Sequence, residues 1–187
     1  MRGVQLLTAG IASAGLVVAS LVMGGPAGAA TVNGTGGDDN LSGTAFSDTI
    51  RAFGGNDTVH ALAGADLVFA GSGFDVVFAG RGDDTVRGGT QSDGLYGGLG
   101  ADAIYGGAGY DQILGNAGDD VIFGAGRGDG LYDGRGTDTI YGGRGNDTVV
   151  LTKDGAHDTV RCGSGQDVVY GATGGNTVAA DCEEVHV

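Results

Sequence analysis

The sequence predicts an all-β fold, a right-handed parallel β-roll in which two nine-residue units make one coil of a solenoid. Three observations predict it: an unbroken nine-residue period, an aspartate fixed at its sixth position, and an aliphatic residue fixed at its eighth. The pattern x-Gly-x-Gly-x-Asp-x-aliphatic-x runs in frame from Gly34 to Val150. Position six reads Asp39, Asp48, Asp57, Asp66, Asp75, Asp84, Asp93, Asp102, Asp111, Asp120, Asp129, Asp138 and Asp147. Position eight reads Leu41, Ile50, Val59, Val68, Val77, Val86, Leu95, Ile104, Ile113, Ile122, Leu131, Ile140 and Val149. After an insertion, Leu151 and Thr152, the frame resumes with Asp158 and Val160, Asp167 and Val169, then Asn176 and Val178. Self-similarity at so short a period means that each unit buries its apolar residue only against its neighbours.

The chain divides into three parts. Residues 1–30 read as a secretory signal: Arg2 at the start, an apolar stretch from Val4 to Met23, and a small-residue cleavage pattern ending at Ala29 or Ala30. A membrane anchor fits this stretch less well, because Gly10, Gly15, Gly24, Gly25 and Pro26 interrupt it and no basic flank follows. Residues 31–179 form the roll, and 180–187 a C-terminal cap that closes the exposed end of the core. Within a unit, positions one to six read as a glycine-rich turn, since glycine admits the positive φ of tight turns. Positions seven to nine read as a short strand, with position eight facing inward and its neighbours outward. Successive coils then stack at about 4.8 Å by parallel pairing.

Composition limits what else the chain can be. With 43 glycines, one proline and no tryptophan in 187 residues, apolar burial alone is a thin source of stability. The formal charge of −14 argues against nucleic acid or anionic lipid as a partner. The two cysteines, Cys162 and Cys182, lie in the last turns and are expected to pair in an oxidising compartment, stapling the end of the roll. No catalytic constellation is visible. His60, His157 and His186 are isolated, and the paired carboxylates belong to a periodic array, which argues for ligation rather than acid–base work.

Stacking two units per coil places the aspartates of alternate units above one another. One column holds Asp39, Asp57, Asp75, Asp93, Asp111, Asp129 and Asp147, the other Asp48, Asp66, Asp84, Asp102, Asp120 and Asp138. Carboxylates at coil spacing repel by about 1 kcal/mol in bulk water and about 3–4 kcal/mol at an effective dielectric of 20. A hard divalent cation reverses that sign, and calcium accepts six to eight oxygens in flexible geometry. Zinc is a poor candidate, since the array lacks nitrogen and sulfur ligands.

The units Gly97-Gly98-Leu99-Gly100-Ala101-Asp102, Gly106-Gly107-Ala108-Gly109-Tyr110-Asp111 and Gly142-Gly143-Arg144-Gly145-Asn146-Asp147 resemble the repeats of the RTX, or haemolysin-type, calcium-binding family. The resemblance implies several calcium ions held between coils by position-six aspartates and the carbonyls of the glycine turns. Carried onto the units that keep the pattern, it implies as ligands Asp75, Asp84, Asp93, Asp102, Asp111, Asp120, Asp138, Asp147, Asp158 and Asp167. The accompanying carbonyls belong to turns around Gly80, Gly82, Gly98, Gly100, Gly107, Gly109, Gly118, Gly134, Gly136, Gly143 and Gly145. Members exported by dedicated one-step machinery usually carry a C-terminal signal, so the N-terminal segment here suggests the general export route.

Departures from the pattern imply unequal sites. Position four is Phe46, Gln91, Arg127 and Ala156 in four units, and position two is Thr35, Thr44, Phe53 and Leu62 in the first four. The N-terminal units are therefore expected to bind poorly. The Arg127 guanidinium is expected to add bulk and positive charge beside Asp129, so Asp102 should matter more to calcium affinity than Asp129.

Several motifs have a plainer reading. Arg81-Gly82-Asp83 and Arg127-Gly128-Asp129 spell an integrin-binding tripeptide, but arise from the repeat frame. Asn33, Asn56 and Asn146 fit glycosylation acceptors, and the last two precede column aspartates. Phe69, Phe78, Tyr96, Tyr105, Phe123, Tyr132, Tyr141 and Tyr170 all occupy position nine, where cross-strand stacking is the first expectation and a docking surface for an extracellular polymer or protein the second. The function expected is thus a secreted, non-catalytic calcium-binding protein that folds on binding calcium and does not insert stably into membranes. The alternative is an adhesive, carbohydrate- or ice-binding solenoid using an outer aromatic and threonine face, although position-seven threonines are interrupted by Gly94, Ala103, Gln112 and Gly130.

Overall fold

The computed structural model describes residues 28–173 and 175–187, together with the backbone of the strand Ser20–Met23. The rest of the segment assigned to an export signal lies outside the described residues. Ser20–Met23 itself pairs antiparallel with Ala30–Asn33, at the N-terminal edge of the first sheet.

Two sheets face each other across a narrow core. The first runs Ser20–Met23, Ala30–Asn33, Thr49–Gly54, Leu67–Ser72, Thr85–Thr90, Ala103–Ala108, Val121–Gly126, Thr139–Arg144, Thr159–Ser164 and Thr177–Val178. The second runs Asn40–Ser42, Thr58–His60, Val76–Arg81, Gly94–Leu99, Gln112–Ala117, Gly130–Arg135, Thr148–Val150, Val168–Tyr170 and Glu184–His186. From Ala30–Asn33 onward the strands alternate between the sheets in chain order, and every pairing among them is parallel. The register is that of two nonapeptides per coil: Ile104 pairs with Val86 on one side and Ile122 on the other. The described residues contain no helix, hence none long and apolar enough to cross a membrane.

Position eight supplies the core as the alternation predicts, with Ile50, Val68, Val86, Ile104, Ile122 and Ile140 from one sheet meeting Val59, Val77, Leu95, Ile113, Leu131 and Val149 from the other, all at 0% exposure. Position one is also interior. Ala52, Ala61, Ala70 and Ala79 fill it in the early coils, glycine in most later ones, and Leu151 and Cys162 near the end.

The strands are longer than the sequence pattern implies. Most span six residues, positions seven to nine followed by one to three of the next unit, as in Gly94–Leu99. Positive φ at position two does not end the strand: Gly98 has φ 118° and still pairs with Gly80 and Asn116. A Cβ on Gly98 would collide with the Gly80 carbonyl of the coil below, so coil spacing as well as φ selects glycine there.

Side chains at position nine stack along the outside of each sheet. Tyr105, Phe123 and Tyr141 lie with ring centroids 4.8 and 4.7 Å apart and nearly parallel planes. Arginines extend the row: Arg51 and Arg87 cover Phe69, Arg87 also covers Tyr105, and Arg161 covers Tyr141. On the other sheet His60, Phe78 and Tyr96 stack at 4.9 Å, as do Tyr170 and His186. These contacts are sheet-stabilising cross-strand pairs.

The Cys162–Cys182 disulfide is formed, with Cα atoms 5.1 Å apart. Cys162 is fully buried at position one, so the bridge ties the C-terminal residues to the last full coil. Because each coil touches only its neighbours, a core truncation acts locally. Ile104→Ala is expected to lower stability by about 2–5 kcal/mol, the range for removing a buried aliphatic side chain. Leu114→Ala, at half-buried position nine, should cost clearly less when the two are compared by chemical denaturation of the folded protein.

Candidate metal centre

At each coil edge the chain leaves the strand at position three, turns through positions four and five, and enters the next strand after position six. The position-six aspartate is the hinge between coils. The Asp84 N–H donates to Asp102 Oδ1 at 2.8 Å, and the Asp84 carbonyl accepts the Ala103 N–H at 2.8 Å. The same bond links Asp66 to Asp84, Asp102 to Asp120 and Asp120 to Asp138 in one column. In the other it links Asp57 to Asp75, Asp75 to Asp93, Asp93 to Asp111, Asp111 to Asp129 and Asp129 to Asp147. Across the Leu151–Thr152 insertion both columns continue, Asp138 to Asp158 at 3.0 Å and Asp147 to Asp167 at 2.8 Å. They end on Asn176 Oδ1, which caps Asp158, and Glu183 Oε2, which caps Asp167.

Only one oxygen of each carboxylate is used in this way. From Asp57 to Asp147 every position-six Oδ2 is buried without a hydrogen-bond partner, as is that of Asp167. Its surroundings are oxygen-rich. The point where a Cβ would stand on Gly88 lies 2.5 Å from Asp93 Oδ2 and 2.7 Å from the Gly106 carbonyl oxygen of the next coil. The corresponding point on Gly124 lies 2.5 Å from Asp129 Oδ2 and 2.7 Å from the Gly142 carbonyl. An unpartnered carboxylate oxygen beside a carbonyl, out of water, is a donor set for a hard cation.

The electrostatics point the same way. Burial, opposed by the N–H bond from the coil below and reinforced by neighbouring carboxylates, raises Asp84, Asp93, Asp120 and Asp129 to about 7. Burial likewise raises Asp57, Asp66, Asp102, Asp138 and Asp147 to about 6. Asp75, Asp111, Asp158 and Asp167 are raised as well, again chiefly by burial. Without a cation, burial makes ionisation of these carboxyls harder than that of an exposed aspartate.

The hydrogen bonding of the column aspartates does not divide where these departures from the pattern fall. Arg127 adopts positive φ, 75°, and its guanidinium lies over the Tyr110 ring, 5.2 Å from its centroid, not over Asp129. Asp129 therefore has the same bonding and the same unpartnered oxygen as Asp102. Gln91 also adopts positive φ, 74°, and Asp93 keeps the pattern. Phe53 and Leu62 do the same at position two, so Asp57 and Asp66 match the later units.

The bonding of the column carboxylates changes at Thr35 and Thr44. Asp39 Oδ2 accepts the Thr35 N–H at 2.6 Å and its hydroxyl at 3.0 Å. In the same way Asp48 accepts the Thr44 N–H at 2.5 Å and its hydroxyl at 3.1 Å.

Two features escaped the sequence pattern. Position five carries short polar side chains that cap the next coil: Asp83 Oδ1 accepts the Ala101 N–H at 2.9 Å, Asn56 Oδ1 that of Phe74 at 2.9 Å, and Asp119 Oδ1 that of Thr137 at 2.8 Å. This accounts structurally for Asp83 in its Arg-Gly-Asp tripeptide and for Asn56 before Asp57. The second is Asp133, an aspartate at position one, buried beside Asp138 and Asp158. Its signal was legible as the one acidic residue at position one of a unit before the insertion.

Matches to the family profile described as an RTX calcium-binding nonapeptide repeat cover residues 33–68, 60–95, 96–129, 125–151 and 154–179. No curated protein matches the chain in sequence. Repeats of this family bind calcium, and the buried aspartate columns of this roll fit several ions. With its period, its parallel coils and its carboxylate columns all accounted for by those repeats, the chain belongs to the RTX calcium-binding nonapeptide-repeat family.

Proposed function

We propose that the protein is a secreted, non-catalytic β-roll that folds when it binds calcium. The observation that carries this reading is the unbroken series of buried, unpartnered Oδ2 atoms from Asp57 to Asp147. Bare carboxylates so placed oppose folding, and a divalent cation between coils turns the same atoms into cross-links. The position-six aspartates from Asp57 to Asp147, with Asp158 and Asp167, would supply the carboxylate oxygens, and the glycine turns the carbonyls. When bound, calcium supplies charge neutralisation and oxygen coordination and no redox chemistry.

Secretion is supported by the apolar segment before Ala30, by the disulfide and by the usual export of such repeat proteins. Absence of catalysis is supported by the use of the carboxylates in one periodic array. His60 and His186 serve as end members of ring stacks. The outer aromatic rows stack on one another and on arginines, so no observation favours the adhesive reading over this one.

Circular dichroism during a calcium titration tests the proposal. β-signal is expected to grow from a largely unfolded spectrum in chelator to a folded one at roughly 10⁻⁴–10⁻³ M calcium, the range of extracellular modules. A protein fully folded in chelator and indifferent to calcium would sink the reading.

The raised carboxyl pKa values set a pH dependence with opposite signs in the two states. An aspartate at about 7 folded and about 3.9 unfolded binds more protons when folded between those values. The contribution of these carboxyls to the stability of the calcium-free fold is thus fully present below about pH 4 and lost as pH rises through about 7. In chelator, β-signal at pH 5.5 should exceed that at pH 7.5. Over the same interval protons compete with calcium, so calcium affinity should fall on acidification.

Site equivalence is tested with asparagine, which keeps the oxygen that caps the coil below. Asp102→Asn and Asp129→Asn should weaken calcium binding by similar amounts in isothermal titration. Asp48→Asn should have a much smaller effect, because Thr44 already occupies that carboxylate.

A further inference from the structure

The repeat frame begins before its first aspartate. Counting one unit back from Asp39 places Ala30 at position six, with Thr31, Val32 and Asn33 at seven, eight and nine. The surroundings of these residues agree with that frame. Val32 is buried and pairs with Ile50, as position eight does throughout. The Ala30 N–H donates to Asp48 Oδ1 at 2.6 Å, as each position-six aspartate donates to the carboxylate one coil later. Ala30 thus supplies the backbone half of a column member and no carboxylate.

Asp48, which receives that bond, differs from the rest of its column. It is 3% exposed, and both of its oxygens are occupied, Oδ1 by the Ala30 N–H and the Thr44 hydroxyl and Oδ2 by the Thr44 N–H. Unlike Asp66 and Asp84, it has no unpartnered oxygen to offer a cation. None of its donors among the described residues is charged, and a carboxylate held out of water by neutral partners calls for a counter-charge. The small-residue pattern Ala27-Gly28-Ala29 ends immediately before Ala30. A cut there puts a positive charge on the nitrogen that already touches Asp48. A cut one residue later removes that donor, together with a side chain that is 5% exposed. At the head of the other column Asp39 Oδ1 has no such donor and stays unpartnered.

We propose that removal of the export segment cuts the chain between Ala29 and Ala30, and that the new α-ammonium of Ala30 forms an ion pair with buried Asp48, closing the head of this column. An export-signal peptidase of the cell catalyses the step, and water supplies the atoms. As the amide bond breaks, hydroxide goes to the Ala29 carbonyl carbon and a proton to the Ala30 nitrogen; the new carboxyl then gives its own proton to the new amine. The strand Ser20–Met23 leaves with the removed segment, and Ala30–Asn33 stays in its sheet through parallel pairing with Thr49–Gly54. Later aspartates of the column take an added cation, whereas Asp48 has its cation built into the chain end. The inference rests on the secretion reading.

The full chain, expressed in a bacterial host with the general export route, tests the cut by intact mass and N-terminal sequencing of the exported protein. Ala30 is expected as the first residue. An exported chain that starts at Thr31 or elsewhere refutes the inference and leaves secretion standing; a chain retained uncut in the cytoplasm overturns both. The ion pair is tested by a double-mutant cycle in calcium. The chain starting at Ala30 is compared with the same chain extended by Gly28 and Ala29, in which the Ala30 nitrogen is again an amide, with Asp48→Asn made in each. Asparagine keeps an oxygen for that nitrogen, as Asn176 does for Asp158. In chemical denaturation Asp48→Asn is expected to lower the folding constant about tenfold more in the chain starting at Ala30 than in the extended one. Equal losses in the two backgrounds, unfolding of both included, overturn the ion pair.

Discussion

The structure depends on one hydrogen bond repeated along both edges: the backbone N–H of each position-six aspartate donated to the carboxylate of the aspartate one coil later. It fixes the register of the sheets, since the same aspartate's carbonyl accepts an N–H from the next strand. It also fixes the chemistry. To reach the N–H the carboxylate must turn inward, out of water, and that leaves its other oxygen buried with nothing to bind. Fold and cation affinity are therefore consequences of one geometry. A side chain that stitched the coils together without a charge, such as asparagine, would give the first and not the second.

Much of this was legible in the sequence, because a strict period leaves few choices. Position eight had to be core, and alternate aspartates had to align. What the pattern hid was local. Gly98 signalled a turn by its conformational freedom, but positive φ at that position is compatible with coil-to-coil pairing, and the strands come out twice as long. Arg127 signalled an obstruction by its charge; its side chain is long enough to leave the edge and settle on Tyr110. The threonines at 35 and 44 signalled only a missing glycine, whereas their hydroxyls and amides actively occupy the carboxylates. In each case residue type was visible and side-chain direction was not.

The ends of the roll show how the two columns are terminated. At the N-terminal side Thr35 bonds one oxygen of Asp39, whose Oδ1 stays buried without a partner, while Thr44 and the Ala30 N–H, at 2.6 Å, engage both oxygens of Asp48. At the C-terminal side the final acceptors are an amide, Asn176, and a longer carboxylate, Glu183, each from a segment outside the regular frame or at its limit. The disulfide covers the same end, holding Cys182 against a coil whose position-one residue is Cys162. A stack whose coils bond only to neighbours needs such closures, because a terminal coil lacks half of its contacts.

The position-six hydrogen bonds all point one way, and this gives the columns a polarity that the near-symmetrical sheets conceal. Each aspartate amide waits for a carboxylate located eighteen residues further on, or twenty across the insertion. A chain growing from its N-terminus can therefore never complete the coil it has just made; the following coil does so. The advancing front always carries one unsatisfied amide on each edge, whatever the length already assembled. Lengthening the array adds coils without altering that front, so the number of repeats is free to vary while the terminating residues are not.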